Sequence, residues 1–314
     1  MKDILLIIGN GLAMDFHVTF KTPLHPSKPL TWDFSIEQEK NKISWQEAFP
    51  IFFRYVSDNL GRLNNDNFKL FEEIKLKKDC NLEVEARHFL ALAYTYQDHS
   101  KNSPLAWRKW RWSKFIRKEY HRINNVISFN YDTTIEELIH NKGGSLIPSN
   151  GHYRLNGYAE DVITIFKPHG CRTLDIADNI IKIGDMKKYP MSLFFLHTNA
   201  HEKQLSKDDQ KRARVSSLCI LPYEENLYQD FRTQSHMWEN LKDRNTTIKY
   251  CVIIGHSYGD ADKKEIDTIL ESLPKNAIAH VCDPNPNMAL IEKLNILGIK
   301  NFTHTDKINT PQLD

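Results

Sequence analysis

The chain has 314 residues, 40% hydrophobic and 26% charged, which suits a large α/β domain carrying an insertion and excludes a disordered or fibrous polymer. Its 42 Lys+Arg are nearly balanced by 40 Asp+Glu, so no chain-wide electrostatic affinity for nucleic acid is expected. A mean hydropathy of −0.53 excludes a membrane-spanning reading, the early apolar run is too short and too early for a signal peptide, and five cysteines without a C-x-x-C pair read as reduced thiols of a cytoplasmic protein.

The first element is a buried strand, Ile4 to Ile8. Residues 35–122 contain no convincing strand and several helical patterns, such as Val84 to Tyr96, and read as an α-helical insertion after the first βα unit. Strands follow at Val126 to Phe129, Val162 to Phe166, Leu218 to Leu221, Tyr250 to Ile254 and Ala277 to Val281. Between Gly184 and Ser217 the charge-rich piece Glu202 to Arg214 reads as a loop or a solvated helix. Helices are predicted over Asp262 to Leu273 and Asn287 to Leu297, where apolar residues recur at helical spacing. The strands are continuously apolar rather than alternating, as a parallel sheet covered on both faces requires. Strands alternating with helices predict a Rossmann-like, doubly wound α/β fold: one domain of residues 1–34 plus 123–314, interrupted by the insertion 35–122.

In such sheets ligands bind at the carboxyl ends of the strands, near the point where strand order reverses. The residues that follow the strands are Gly9-Asn10-Gly11, with Asp15 beyond; Asn130-Tyr131-Asp132; Lys167-Pro168-His169-Gly170; Gly255-His256-Ser257-Tyr258-Gly259-Asp260; and Asp283-Pro284-Asn285. Small and hydrogen-bonding residues thus recur after five strands, which carries more weight than any single motif. Gly9-x-Gly11 suits either a phosphate turn or a tight turn; Met14 stands where a dinucleotide fingerprint has its third glycine, so ordinary hydride transfer is disfavoured. Gly255-His256-Ser257-Tyr258-Gly259 matches a nucleophile elbow, and Ser257, Asp283 and His304 follow the chain order of a hydrolase triad, so a serine hydrolase is a rival reading. His169 directly follows a buried strand and precedes a glycine. Asn130 also ends a strand, where an unused polar side chain is costly.

Trp107 to Arg122 interleaves seven Lys/Arg with Trp107, Trp110 and Trp112. Such a segment can track phosphates and stack bases, but an amphipathic helix with cations on its wet side is favoured, and a subunit interface is a third possibility.

Taken in order, Ile8-Gly9-Asn10-Gly11, Ser128-Phe129-Asn130-Tyr131-Asp132, Lys167-Pro168-His169-Gly170 and Ile254-Gly255-His256-Ser257-Tyr258-Gly259-Asp260-Ala261-Asp262 resemble the glycine-rich, Asn-x-Asp, His-Gly and Gly-x-Ser elements of the sirtuin-like superfamily. Leu221-Pro222 with Trp238 is similar to its bacterial form. The resemblance covers roughly 1–17, 123–140, 162–172 and 217–285. The two Cys pairs of the zinc-bearing deacylases are missing from the sequence, so the resemblance points to the zinc-free bacterial branch. It implies an NAD⁺ hydrolase of anti-phage defence, releasing nicotinamide and ADP-ribose, with NAD as substrate and no zinc. It implies Asn130, His169 and Asp132 as catalytic residues: Asn130 orienting water or ribose hydroxyls, His169 as base, and Asp132 positioning its neighbours or offsetting positive charge. The implied cofactor-binding set is Gly9, Asn10, Gly11, Asp15, Gly255, His256, Ser257, Asp283 and Asn285. An active enzyme of this kind requires restraint, so a homo-oligomer or a separate regulatory protein is expected. A module that binds NAD or ADP-ribose without turnover is the non-enzymatic alternative.

Overall fold

The computed structural model describes residues 2–38, 41–64, 66–101, 106–140, 146–148, 163–176, 202–204, 217–219, 221, 241–306 and 309–314. Among these residues twelve strands run in chain order as β1 (Ile4–Ile8), β2 (Ser35–Gln38), β3 (Asn41–Ser44), β4 (Ile123–Ser128), β5 (Leu146–Pro148), β6 (Ile163–Phe166), β7 (Gly170–Ile176), β8 (Glu202–Gln204), β9 (Ser217–Cys219), β10 (Tyr250–Ile254), β11 (Ile278–Cys282) and β12 (Lys300–His304). Seven of them form one parallel sheet in the order β12-β11-β10-β1-β4-β6-β5. The fold is α/β and Rossmann-like. From β1 the chain builds outward through β4 on one side and later through β10 on the other, so the topological switch lies between β1 and β10.

The central strand shows why its sequence is continuously apolar. Ile4, Leu6 and Ile8 point into one buried cluster, with Phe16, Trp107, Trp110 and Ile116. Leu5 and Ile7 point into the opposite cluster, with Ile266, Ile269, Leu290 and Leu294. Successive side chains of a strand face opposite ways, so a strand covered by helices on both sides has no polar position.

The predicted helices lie at Lys263–Glu271 and Met288–Ile296, the latter capped by Asn287, whose Oδ1 accepts from the Ala289 N–H at 2.9 Å. The predicted 84–96 helix is the middle of a longer one, Cys80–His99, capped by Asp79. That helix is buried almost all round and packs within its own core, together with Trp32, Phe52 and Phe71. Trp107, Trp110 and Trp112 are buried, in a short 3₁₀ turn and the helix Arg111–Glu119, and they belong to the core of the sheet rather than to that of the insertion.

Three expectations require correction. The 35–122 stretch contains an antiparallel hairpin, β2–β3, whose two-sided signal is a single apolar pair, Ile36 opposite Ile43. The 218–221 run is not a strand of the parallel sheet: β9 pairs antiparallel with β7, and Cys219 and Leu221 enter the insertion's core. Part of the 202–214 segment is strand β8, paired with β7; the remainder of that segment, like Pro222 and Trp238, lies outside the described residues. Among the described residues no helix is long and apolar enough to cross a membrane.

Candidate functional site

The switch point is closed by backbone-to-backbone contact between two turns. A Cβ on Gly11 would fall 2.4 Å from Gly255 Cα, and one on Gly9 would fall 2.6 Å from the Gly255 carbonyl oxygen. Gly255 itself has φ +57°, a conformation that L side chains rarely adopt. The turn after β1 therefore needs its glycines in order to meet the turn after β10. Its amide groups are committed inward: Gly9 N–H donates to Ile254 O at 3.0 Å, Gly11 N–H to Gly255 O at 2.8 Å and Leu12 N–H to Gly9 O at 3.1 Å. These three amide donors are thus engaged within the protein.

Above this floor is a cavity of about 680 Å³, lined from β1 by Gly9, Asn10 and Gly11, from β4 by Phe129 to Asp132, from the end of β6 by His169, from β10 by Gly255 to Ser257 and Gly259 to Asp262, and from β11 by Asp283, Asn285 and Asn287. The volume suits a small-molecule ligand. Asn130 Nδ2 donates to the Gly9 carbonyl at 3.1 Å, which ties the β4 loop to the β1 turn. Among the described residues its Oδ1 has no hydrogen-bond donor.

Asp132 is almost fully buried. Its Oδ1 accepts from the Thr134 N–H at 2.8 Å and lies 3.7 Å from Lys101 Nζ, whereas its buried Oδ2 has no hydrogen-bond partner among the described residues. Lys167 fixes the same loop from behind, donating from Nζ to the Asp132 carbonyl at 2.7 Å. His169 stands edge-on to Phe129, ring centroids 5.2 Å apart, and so does His256 at 4.8 Å. Asp262 lies between the two histidines, its carboxylate oxygens 3.4 Å from His169 Nε2 and 3.4 Å from His256 Nε2. Burial pushes His256 down to about 4, so it is neutral near pH 7. Its Nδ1 accepts from the Tyr258 N–H at 3.0 Å, which assigns the proton of the neutral ring to Nε2, on the Asp262 side.

Of the predicted residues, Gly9, Asn10, Gly11, Asn130, Asp132, His169, Gly255, His256, Ser257, Asp283 and Asn285 share this cavity. Asp15 does not line it: its carboxylate accepts from Trp110 Nε1 at 2.6 Å and pairs with Arg111 at 2.7 Å. Asn10 has a structural bond as well, donating from Nδ2 to Ser27 Oγ at 2.9 Å. Asp283 accepts from the Asn285 N–H at 2.7 Å, so it also makes the turn after β11. The Ser257 triad is not assembled: His304 Nε2 bonds His280 Nδ1 at 2.9 Å on the sheet edge, and positive φ falls on Tyr258 rather than on the serine.

No family model matches this chain, and no curated protein matches it significantly.

Two parts of the site escape a reading based on strand ends. Asp262 sits one turn beyond the β10 loop, at the N-terminus of the helix Lys263–Glu271, and its carboxylate makes no capping bond there. The Gly-Asp-Ala-Asp stretch after the elbow was the available signal. The insertion, in turn, lines the cavity with Asp66, Phe68, Glu72 and Tyr94. Burial and then Asp66 raise the Glu72 pKa, Lys69 opposes them, and Asp260 and Asp262 add smaller pushes upward. Behind the cavity, Asp98 of the insertion helix accepts from the Thr133 N–H at 2.9 Å and Oγ1 at 2.8 Å and pairs with Lys101 and Arg172. Burial opposes its charge, but the two cations outweigh it and hold its pKa well below the usual carboxylate range. This network fastens the insertion to the loop that carries Asn130 and Asp132.

Proposed function

We propose that this protein hydrolyses the N-ribosyl bond of NAD⁺, releasing nicotinamide and ADP-ribose. The observation that carries the reading is the Asp132 carboxylate, buried with one oxygen unbonded among the described residues, beside a cavity that Asn130 and His169 also line. When the C1′–N bond breaks, its electron pair passes to the pyridinium nitrogen, so nicotinamide departs neutral and needs no general acid. Positive charge then develops on the ribose, where a fixed carboxylate stabilises it best. Lys101 and the Thr134 N–H hold Oδ1 and leave Oδ2 for that task.

Water adds to C1′ and loses a proton. His169 is the acceptor in this reading, and Asp262 at 3.4 Å steadies the imidazolium formed. Asn130 offers an amide oxygen with no donor among the described residues, suited to a ribose hydroxyl or to the attacking water. The sirtuin-like resemblance extends the proposal to a cytoplasmic NAD⁺-depleting effector of anti-phage defence, restrained by self-association or by a separate regulatory protein.

The test follows nicotinamide release from NAD⁺ by purified protein. Asn130→Ala and His169→Ala should each lower turnover at least about a hundredfold, in line with general-base contributions, while keeping the wild-type unfolding curve. Full activity in both variants refutes the reading. Tight NAD⁺ binding without release in the wild type would favour a binding module instead.

A further inference from the structure

His256 contributes no atom to the hydrolysis proposed for this cavity, yet its ring is fixed from several sides. Its side chain is 2% exposed, and its Nε2 has no hydrogen-bond partner among the described residues, an uncommon state for a buried polar atom. Phe129 stands edge-on to His256 and His169 alike. Tyr258, at φ +50° in the left-handed region, brings its N–H to His256 Nδ1 at 3.0 Å, and its hydroxyl anchors the turn on Asp267. This turn leaves the proton of the ring on Nε2, where Asp262 Oδ2 lies 3.4 Å away. Asp262 stands at the start of the helix Lys263–Glu271 without capping it, whereas Asn287 does cap the helix that it precedes. The carboxylate is turned to the histidines instead, with Oδ1 3.4 Å from His169 Nε2. One carboxylate thus faces two imidazoles. Positive charge on one ring opposes it on the other, and burial makes His256 the weaker base, so the proton that Asp262 supports belongs on His169. Also near Asp262 are Asp260 of its own turn and Glu72 of the helix Asn67–Lys77; Asp66, Asp260 and Asp262 disfavour ionisation of Glu72, and Lys69 favours it.

We propose that His256 is a positioning residue: its neutral Nε2–H holds the Asp262 carboxylate in place, and Asp262 makes His169 the basic member of the pair. The catalytic consequence rests on the hydrolase reading; the histidine–carboxylate arrangement does not. As water adds its oxygen to C1′, its proton passes to His169, and the positive charge formed there draws Asp262 closer. Contacts of 3.4 Å on either side of the carboxylate leave room for that, because catalytic hydrogen bonds often tighten only once substrate is bound. His256, buried and neutral, holds the far oxygen without competing for the proton.

The experiment titrates protein labelled with ¹⁵N-histidine by NMR and follows nicotinamide release from NAD⁺ in the same preparations. It covers the wild type, Asp262→Asn, His256→Phe, His256→Gln and the double variant Asp262→Asn/His256→Phe, with His169→Ala assigning the His169 signal. In the wild type His256 should carry its proton on Nε2 alone from about pH 8 to about pH 6. The His169 pKa should fall by about one unit in Asp262→Asn, where an opposite charge is lost, and by about half as much in His256→Phe. The acid limb of kcat moves to lower pH with it. Each single variant should lower kcat about tenfold with KM within about twofold, and the double variant should be no slower than Asp262→Asn. His256→Gln, whose amide N–H reaches where Nε2 stood, should keep kcat within about threefold of the wild type. Protonation of His256 on Nδ1, a His169 pKa that Asp262→Asn leaves in place, or losses that multiply in the double variant overturn the inference and leave the hydrolase reading standing. A wild type that releases no nicotinamide removes the hydrolase reading, and the titration alone then decides whether Asp262 sets the basicity of His169.

Discussion

Asp98→Asn tests whether the insertion is clamped to the site loop by charge. The carboxylate is buried and carries two cations, Lys101 and Arg172, along with both donors of Thr133. Asparagine keeps the volume and one acceptor oxygen, so the change removes the charge and little else. Breaking a buried pair by removing one partner costs about 3–5 kcal/mol, because the remaining charge is left uncompensated. Here the loss is moderated by Glu137, which faces the same cations and whose pKa rises to about 7, through burial first and then through Asp98. Once Asp98 is neutral, Glu137 ionises more readily and replaces part of the lost charge. The expected cost is about 2–4 kcal/mol at neutral pH, read from urea unfolding with an unchanged m value. The double variant with Glu137→Gln should lose more than the sum of the single changes, by about 1 kcal/mol.

The pH dependence of the same variant has a definite sign. The folded pKa of Asp98 is depressed, so its contribution is present above the unfolded value near about 3.9 and is lost as pH falls through the folded pKa. The wild type should therefore lose stability in acid below about pH 4 more steeply than Asp98→Asn. A cost below about 1 kcal/mol, or additivity in the double variant, would refute the charge clamp.

Other outcomes follow from the same contacts. His256 is held near about 4 against an unfolded value of 6.5, so the unfolded chain takes up a proton first as pH falls. The wild type should lose stability between pH 6.5 and about 4 relative to His256→Gln, by thermal unfolding across that range. Gly11→Ala places a Cβ 2.4 Å from Gly255 Cα, where no side chain can swing aside; a cost of about 1–3 kcal/mol is expected, with weakened ligand binding as the two turns separate. Trp110→Ala should cost about 3–5 kcal/mol in unfolding free energy, because the ring is a core element beside Phe16 rather than a stacking surface for bases.

The sheet interior was legible because β1 and β10 are covered on both faces, which forces unbroken apolar runs, whereas β11 carries His280 at its middle. The edge strand β12 was not, since Lys300–His304 is half exposed and carries a mixed sequence suited to an edge. Strand β2 escaped for a related reason: a four-residue strand with Ile36 as its one apolar anchor has no period to detect. At the site, Asn130, His169 and Gly255 were readable because each follows a recognisable strand. Tyr94 and Glu72 were not, because a helical pattern reveals which face is apolar and not which cavity an insertion roofs. The choice between a phosphate turn and a tight turn at Gly9-x-Gly11 was not legible, for a physical reason. A sequence shows that a Cβ is missing, whereas the neighbour that would have met it, here the β10 turn, is visible only in three dimensions.

The position of β1 at the centre of the sheet has a consequence for biosynthesis. Its two neighbours are β4 and β10, and the floor of the cavity exists only where its turn meets Gly255. A ribosome makes β1 (Ile4–Ile8) well before β10 (Tyr250–Ile254), so a nascent chain carries a central strand with one edge unpaired until β10 is made. Throughout that interval the cavity has no floor and cannot form. The cavity is completed late, when β10 joins β1.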